Sequence, residues 1–411
     1  MNACEKIARE GLAKRLNLAE ERPPTVEDYH EQFNISLKAL ESLEHVTLVP
    51  SPHLLILLAQ HLPLDPLIED KNAKSQDQLT PWTSNRHHTM AQQILGRLIS
   101  SHAVAEQADQ EGMDKVTLLL IKEDRRLLTR SLQLLQSELQ EVINHPPAPH
   151  CLAWITSQLP HPHLGKATPA LIPHVLRCLD CWLTRPRVLG ARIANHLATT
   201  CPPAELAWYG RTELLHAALL PLLSQDFSCL KAASPPLLEL TSHLLNSAKG
   251  VPSLPGPADH LIARVIELIE LNTEGQERRD LLCNLLVSVS DLLGIGVARW
   301  VTSLSSLMAA HLSSTHLIDL IPLLCKTCPE AMAREMKTLL PALIKHAYHL
   351  SWEDPTEPGN ISEFKNSNLH TALCALAATD LDQAKDLCHG LRAVPVNPAF
   401  DSFVSQLEMC T

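Results

Sequence analysis

Aromatic side chains are scarce: five Phe, six Trp and three Tyr, 3% of 411 residues. Strands favour β-branched and aromatic residues, and helices favour Leu and Ala, so a chain in which Leu, Ala and His dominate argues against a sheet-based fold. Glycine is also sparse, 13 against 30 prolines, so helix ends and turns are expected to lean on proline. Nothing clusters Lys and Arg into a phosphate-tracking surface. The formal net charge is −11, and the densest charged run, Lys122 to Arg126, mixes signs and reads as a solvated helix face. Nucleic acid is therefore not expected as a partner. The N-terminal MNACEKIAREGLAKRL is charged throughout and lacks the apolar core of a secretory leader. The twelve Cys, without framework spacing, are then expected as reduced thiols in a cytoplasmic and nuclear protein, and the sequons at Asn34 and Asn360 carry no meaning. Long hydrophobic runs are missing too. Val46 to Leu64 is broken by Pro50, Pro52 and Pro63, and Trp300 to Ile318 is loaded with Ser, Thr and His. A membrane span needs about 20 predominantly apolar residues, so no membrane partner is expected.

What is present is helical grammar. Hydrophobic residues make up 45% of the chain, ample for a core. Phe33, Leu37, Leu40 and Leu43 recur at helical steps, after an N-cap candidate at Thr25 with acidic residues in the following turn. Leu281, Leu282, Leu285, Leu286, Val289, Leu292 and Leu293 cover more than one side of a helix, as inner elements of a stacked array do. Asp65 to His88 is polar and aperiodic, and reads as a loop or linker. The expected organisation is an N-terminal helical segment over 1–64, a linker over 65–88 and a helical-repeat array over 89–411. Such an array is all-α, a HEAT-like α-solenoid of antiparallel helix pairs, whose long faces hold partner proteins.

Candidate chemical sites are weak. Cys178 with Cys181, and Cys325 with Cys328, form two CxxC pairs with soft zinc-ligand types. They are far apart in sequence and the first lies inside a helical pattern, so buried small hydrophobes are the preferred reading. His161 with His163, and His87 with His88, lack a carboxylate or Cys partner close in sequence. No strand-turn-helix elbow presents a Ser, and Gly294 to Gly296 is too short for a phosphate loop and fits a helix-ending Gly cap. No catalytic residue, cofactor or metal is assigned. A Cys-based redox enzyme would need a thiol of depressed pKa.

Leu171 to Leu223 is the best-formed stretch. Leu171 to Ala198 resembles one HEAT repeat, with Pro173 early in its first helix, Arg187 just after the turn and Ala191 in the second helix. Gly190, mid-helix, points to close helix approach. A second resemblance covers about fifty residues. Ile172-Pro173, Leu179-Asp180, Leu189-Gly190, Asn195-His196-Leu197, Glu205-Leu206 and Trp208-Tyr209-Gly210-Arg211 are similar to the central signature of the Tel-Two-interacting-protein-Two family. That resemblance implies a non-catalytic scaffold subunit of the Triple T co-chaperone complex. Its partners would be Tel-two and Tel-two-interacting-protein-One. Through them it would serve phosphatidylinositol-3-kinase-related kinases (ATM, ATR, mTOR, DNA-PK) with the ninety-kilodalton heat-shock chaperone, and so the DNA damage response. A HEAT adaptor in a transport or phosphatase assembly would explain the same repeat.

Partner-binding candidates are Trp208, Tyr209 and Arg211, residue types enriched at interface hot spots, and Trp352 in the acidic stretch SWEDPTEPGN. Each has a structural alternative. Trp208 would pack between repeats with Gly210 allowing close helix approach, and Trp352 would anchor its loop.

Overall fold

A computed structural model describes residues 2–16, 25, 27–64, 81–101, 114–247, 256–271, 275–312, 315–353, 368–382 and 384–386; side chains at 101, 122–125, 315 and 347–353 lie outside that description. Every regular element among the described residues is a helix. The fold is all-α, built from antiparallel helix pairs stacked in the manner of a HEAT-like solenoid. Two compact units divide it, Met1–Leu244 and Leu245–Thr411. This division follows neither of the expected boundaries at 64 and 88.

In the first unit, α1 (Ala3–Gly11), α2 (His30–Leu43) and α3 (Pro52–His61) precede α4 (Asn85–Ser101), α5 (Lys115–Glu138) and α6 (Pro147–Ser157). Helix α3 is the hub. Ser51 caps it through the Leu54 amide at 3.3 Å, and Pro52 supplies a preset first turn. All of Leu54 to His61 is buried, so this helix is covered on every side, by α1, α4, α5 and α6. That demand draws residues 1–64 into one core with the repeats instead of leaving them as a separate segment. Of the expected linker, 65–80 lies outside the described residues; 81–88 holds buried Trp82 and the first turn of α4. The Thr25 cap is reversed: Thr25 donates from its amide and hydroxyl to Asp28 Oδ2, at 2.7 and 2.9 Å. Asp114 caps α5 at the Val116 and Thr117 amides, at 2.9 and 3.2 Å.

The Leu171 to Leu223 stretch then builds α7 (His163–Asp180), α8 (Thr184–Thr200), α9 (Pro203–Ala207) and α10 (Arg211–Leu219), followed by α11 (Phe227–Ser247). Only residues 181–183 join α7 to α8, which pack along each other as an antiparallel pair. A Cβ on Gly190 would lie 3.0 Å from Cys178 Cβ and 3.1 Å from Leu179 Cδ2, so the expected close approach is present. Helix α7 begins at His163, which places Pro173 in mid-helix instead of early. Pro169, Pro235, Pro236, Pro322 and Pro341 also lie inside helices. An interior proline removes a backbone hydrogen bond, and burial of the surrounding Leu and Ile offsets that loss. Proline thus does more here than mark turns.

The second unit contains α12 (Pro257–Leu271), α13 (Gln276–Leu293), α14 (Val301–Ala310), α15 (Thr315–Thr327), α16 (Pro329–Glu353) and α17 (Asn368–Ala377). Helix α13 packs on α12 and α15, α14 on α16, and α17 on α15 and α16. Apolar spacing predicts further helices at Leu381 to Leu391 and Asn397 to Met409, and these fall largely or wholly outside the described residues. The run Gln276–Ala310 is long and apolar enough, by length and composition, to cross a membrane, with mean hydropathy 1.9. It is interrupted by a 3₁₀ stretch, Gly294–Trp300, where Gly294 has φ 52° and ends α13 as expected of a glycine stop. Leu282, Leu286, Val289, Leu304 and Met308 from this run are buried in the core, while Leu292 and Ile295 are exposed.

Candidate protein-docking site

The Trp208 to Arg211 segment owes its exposure to backbone geometry. Trp208 (φ −58°, ψ 132°) and Tyr209 (φ 60°, ψ 27°) take the two central positions of a type II turn. The second of those positions favours glycine, because a positive φ crowds an L side chain by roughly 1–2 kcal/mol. Here tyrosine occupies it. Gly210 follows at φ 67°, ψ 27°, and α10 starts directly after. The two rings therefore project from the unit: Trp208 is 62% exposed and Tyr209 92%. The Arg211 guanidinium lies 5.2 Å from the Tyr209 ring centroid, a cation–π stack that restrains both side chains. Below the turn, Glu205 meets His161 Nε2 at 3.3 Å.

Helix α10 continues the surface. Thr212, Leu215, His216 and Leu219 form its buried side, which packs on α7, and His216 Nε2 meets Thr241 Oγ1 of α11 at 3.2 Å. The opposite side exposes Leu214, Ala217 and Pro221, an uncharged row beyond Glu213. Most surface helices are apolar on one face only. This one is apolar on both, and its exposed row follows the exposed Trp208 and Tyr209 along the chain.

The Trp208 ring, 62% exposed, is not wedged between repeats. Nor does Gly210 serve close approach, since a Cβ there would meet nothing nearer than Glu213 Oε2 at 3.9 Å; its role is the positive φ. Trp352 lies on the helical backbone of α16, not in a loop, and its side chain is outside the described residues.

The cysteines behave as core residues. Cys178 and Cys181 lie in the first unit and Cys325 and Cys328 in the second, all buried. Burial pushes the Cys178 and Cys325 thiols up to about 12 and raises Cys181 as well, the reverse of what a thiolate nucleophile needs. Among the described residues no group of three or more His, Cys, Asp or Glu is placed to hold a metal ion.

One cluster was not legible in the sequence. His87 and His88, expected in a loop, sit in α4 against the end of α3. His61 Nδ1 meets Thr83 Oγ1 at 3.0 Å, and its Nε2 meets the Gln60 amide nitrogen at 3.0 Å. His87 stacks on His61 at 4.6 Å and bonds Ser84 Oγ and the Phe33 carbonyl, at 2.9 and 3.2 Å. His150 Nε2 donates to the Leu62 carbonyl at 2.9 Å, and its Nδ1 faces an Arg185 nitrogen at 3.3 Å. Arg185 lies over the Trp82 ring at 5.0 Å, and Tyr29 packs on the same Trp82 at 5.7 Å. Burial lowers the pKa of His61, His87 and His150, the last to about 3 with Arg185 contributing. These residues join elements distant in sequence, and only the fold brings them together.

The class defined by these features is a helical-repeat protein with an exposed aromatic turn. No family model matches the chain. It is similar to TELO2-interacting protein 2 of Homo sapiens, 26% identical over 147 residues, and to the Rattus norvegicus protein of that name, 28% identical over 144 residues. Each match takes in 34% of this chain, and 27% and 26% of the two relatives, so it spans about a quarter of their length. This is the family that the residues between Leu171 and Leu223 resemble. An engineered protein of known structure aligns over 100% of this chain and 99% of its own at 14% identity; its TM-score of 0.41 does not establish a common topology.

Proposed function

We propose that this chain is a non-catalytic scaffold subunit of a Triple T-type co-chaperone assembly, acting in the cytoplasm and nucleus. It engages Tel-two and Tel-two-interacting-protein-One, and through them supports the maturation of phosphatidylinositol-3-kinase-related kinases with the ninety-kilodalton heat-shock chaperone, and so the DNA damage response. The observation that carries this reading is the similarity to TELO2-interacting protein 2, whose name states its partner. Support comes from the exposed Trp208-Tyr209-Arg211 strip, because Trp, Tyr and Arg dominate interface hot spots. Raised thiol pKa values fit a core that does no nucleophilic chemistry. A HEAT adaptor for transport or phosphatase assembly would share the fold but not the relatives. Affinity purification of the tagged chain from cells, with partners identified by mass spectrometry, tests the proposal. Recovery of Tel-two and Tel-two-interacting-protein-One is expected; recovery of a transport or phosphatase assembly in their place would overturn it.

A further inference from the structure

We propose that His61 and His150 form a protonation-sensitive latch that holds the N-terminal helices of the first unit onto its repeats and opens in mild acid. Each ring keeps one nitrogen without a proton, His150 Nδ1 and His61 Nε2. His150 gives its Nε2 proton to the Leu62 carbonyl, so its Nδ1 lone pair faces the Arg185 guanidinium. A second proton on that ring would set two cations against each other. The same holds one step away. Gln60 Oε1 accepts the Ala13 amide at 3.3 Å, which turns the Gln60 NH2 toward His61. His61 Nε2 therefore accepts, and Nδ1 donates to Thr83. A proton on Nε2 would meet a fixed donor. Protonated in place, His150 would lose its bond to Arg185 of α8 and His61 its bond to Gln60 within α3, so each ring takes a second proton only by leaving its site. The joints that part when the rings leave run from α3 to residues 81–84 at His61, and from Leu62, just after α3, through α6 to α8 at His150.

Among the described residues, the ionisable groups that face the pair do not relieve this. His87 and His88 of α4 and Arg185 of α8 face the pair, and each adds positive charge if it titrates or already carries it. Tyr29 lies just before α2, with its hydroxyl buried and without a hydrogen-bond partner among the described residues, and Asp28 faces that tyrosine. Arg86 of α4 is paired with Glu41 of α2 at the surface, and Glu138 of α5 faces Cys151 of α6.

The sign follows. Both folded pKa values lie below the ordinary 6.5, so the unfolded or opened state binds protons first. The stabilisation is complete above about 6.5 and is lost as pH falls below it, for His150 down to about 3. Each ring contributes up to about tenfold in the opening equilibrium per pH unit within that window.

Hydrogen exchange of the full chain, read by mass spectrometry at pH 7.4 and 5.5 after correction for intrinsic rates, tests the latch. Segments 52–61 and 85–98 should lose about tenfold or more in protection at pH 5.5, while 257–271 of the second unit keeps its own. His150→Gln can accept from Arg185 and donate to Leu62 but cannot be protonated, so it should retain more of that protection. Equal protection at both pH values, or an equal loss in 257–271, overturns the proposal, and both comparisons need only the wild-type chain. So does a His150→Gln chain with native circular dichroism and an unaltered pH response.

Discussion

Tyr209 and Gly190 show opposite uses of backbone space. At Tyr209 a tyrosine stands where the turn asks for glycine, and its ring contributes almost nothing to the core. Tyr209→Gly should leave stability unchanged or raise it by about 1 kcal/mol, since a strained φ is relieved. The same change should weaken partner binding. Urea denaturation and a binding assay on one preparation check both; a clear loss of stability would show that the ring is structural after all. Gly190 is the reverse case, a glycine required by its neighbours. Gly190→Leu should destabilise the chain by about 1–3 kcal/mol through overpacking against Cys178 and Leu179. An unchanged urea midpoint would contradict that reading. The sequence pointed to both positions, but only the backbone angles separate the exposed turn from the tight contact. The φ of Tyr209 is set by how α9 meets α10, which no periodicity records.

Among the elements, the long periodic helices were the most legible. Phe227–Ser247 and Pro257–Leu271 fall where their hydrophobic spacing puts them. Short-range polarity misled the reading of α4, because Asn85 to His88 looks like linker yet is held by hydrogen bonds to residues up to 54 positions away. Prolines misled it as well, since those in α7, α11, α15 and α16 lie inside helices whose other faces are buried. The α12 terminus shows what a side-chain clamp adds. Asp259, 3% exposed, accepts from the Gly256 amide and Trp300 Nε1, both at 2.8 Å, and pairs with Arg299 at 2.5 Å. It fastens the 3₁₀ stretch after α13 to the start of α12. Asp259→Ala should cost about 2–3 kcal/mol, because an indole N–H and a cation lose their buried acceptor. A thermal melt checks this; a change below about 0.5 kcal/mol, the usual size for surface sites, would show that the clamp is slack.

For the whole molecule, the fold class was readable and the organisation was not. Leu and Ala content, scarce rings and helical spacing require stacked helices. Where the stack divides depends on contacts between distant segments, above all the demand of the fully buried α3 for cover. The exposed turn sits between these cases: Trp208-Tyr209-Gly210-Arg211 stood out as a string, and its exposure belongs to the backbone. The central claim is that this turn binds the partner named by the relatives. It is tested most directly by measuring the affinity of the purified chain for Tel-two with Tel-two-interacting-protein-One, beside a Trp208→Ala, Tyr209→Ala, Arg211→Ala chain of native circular dichroism. Loss of hot-spot residues costs about 2 kcal/mol or more, so the account predicts binding by the wild type and a drop of at least about tenfold in the variant. No binding by the wild type, or equal affinity in the variant, would contradict it.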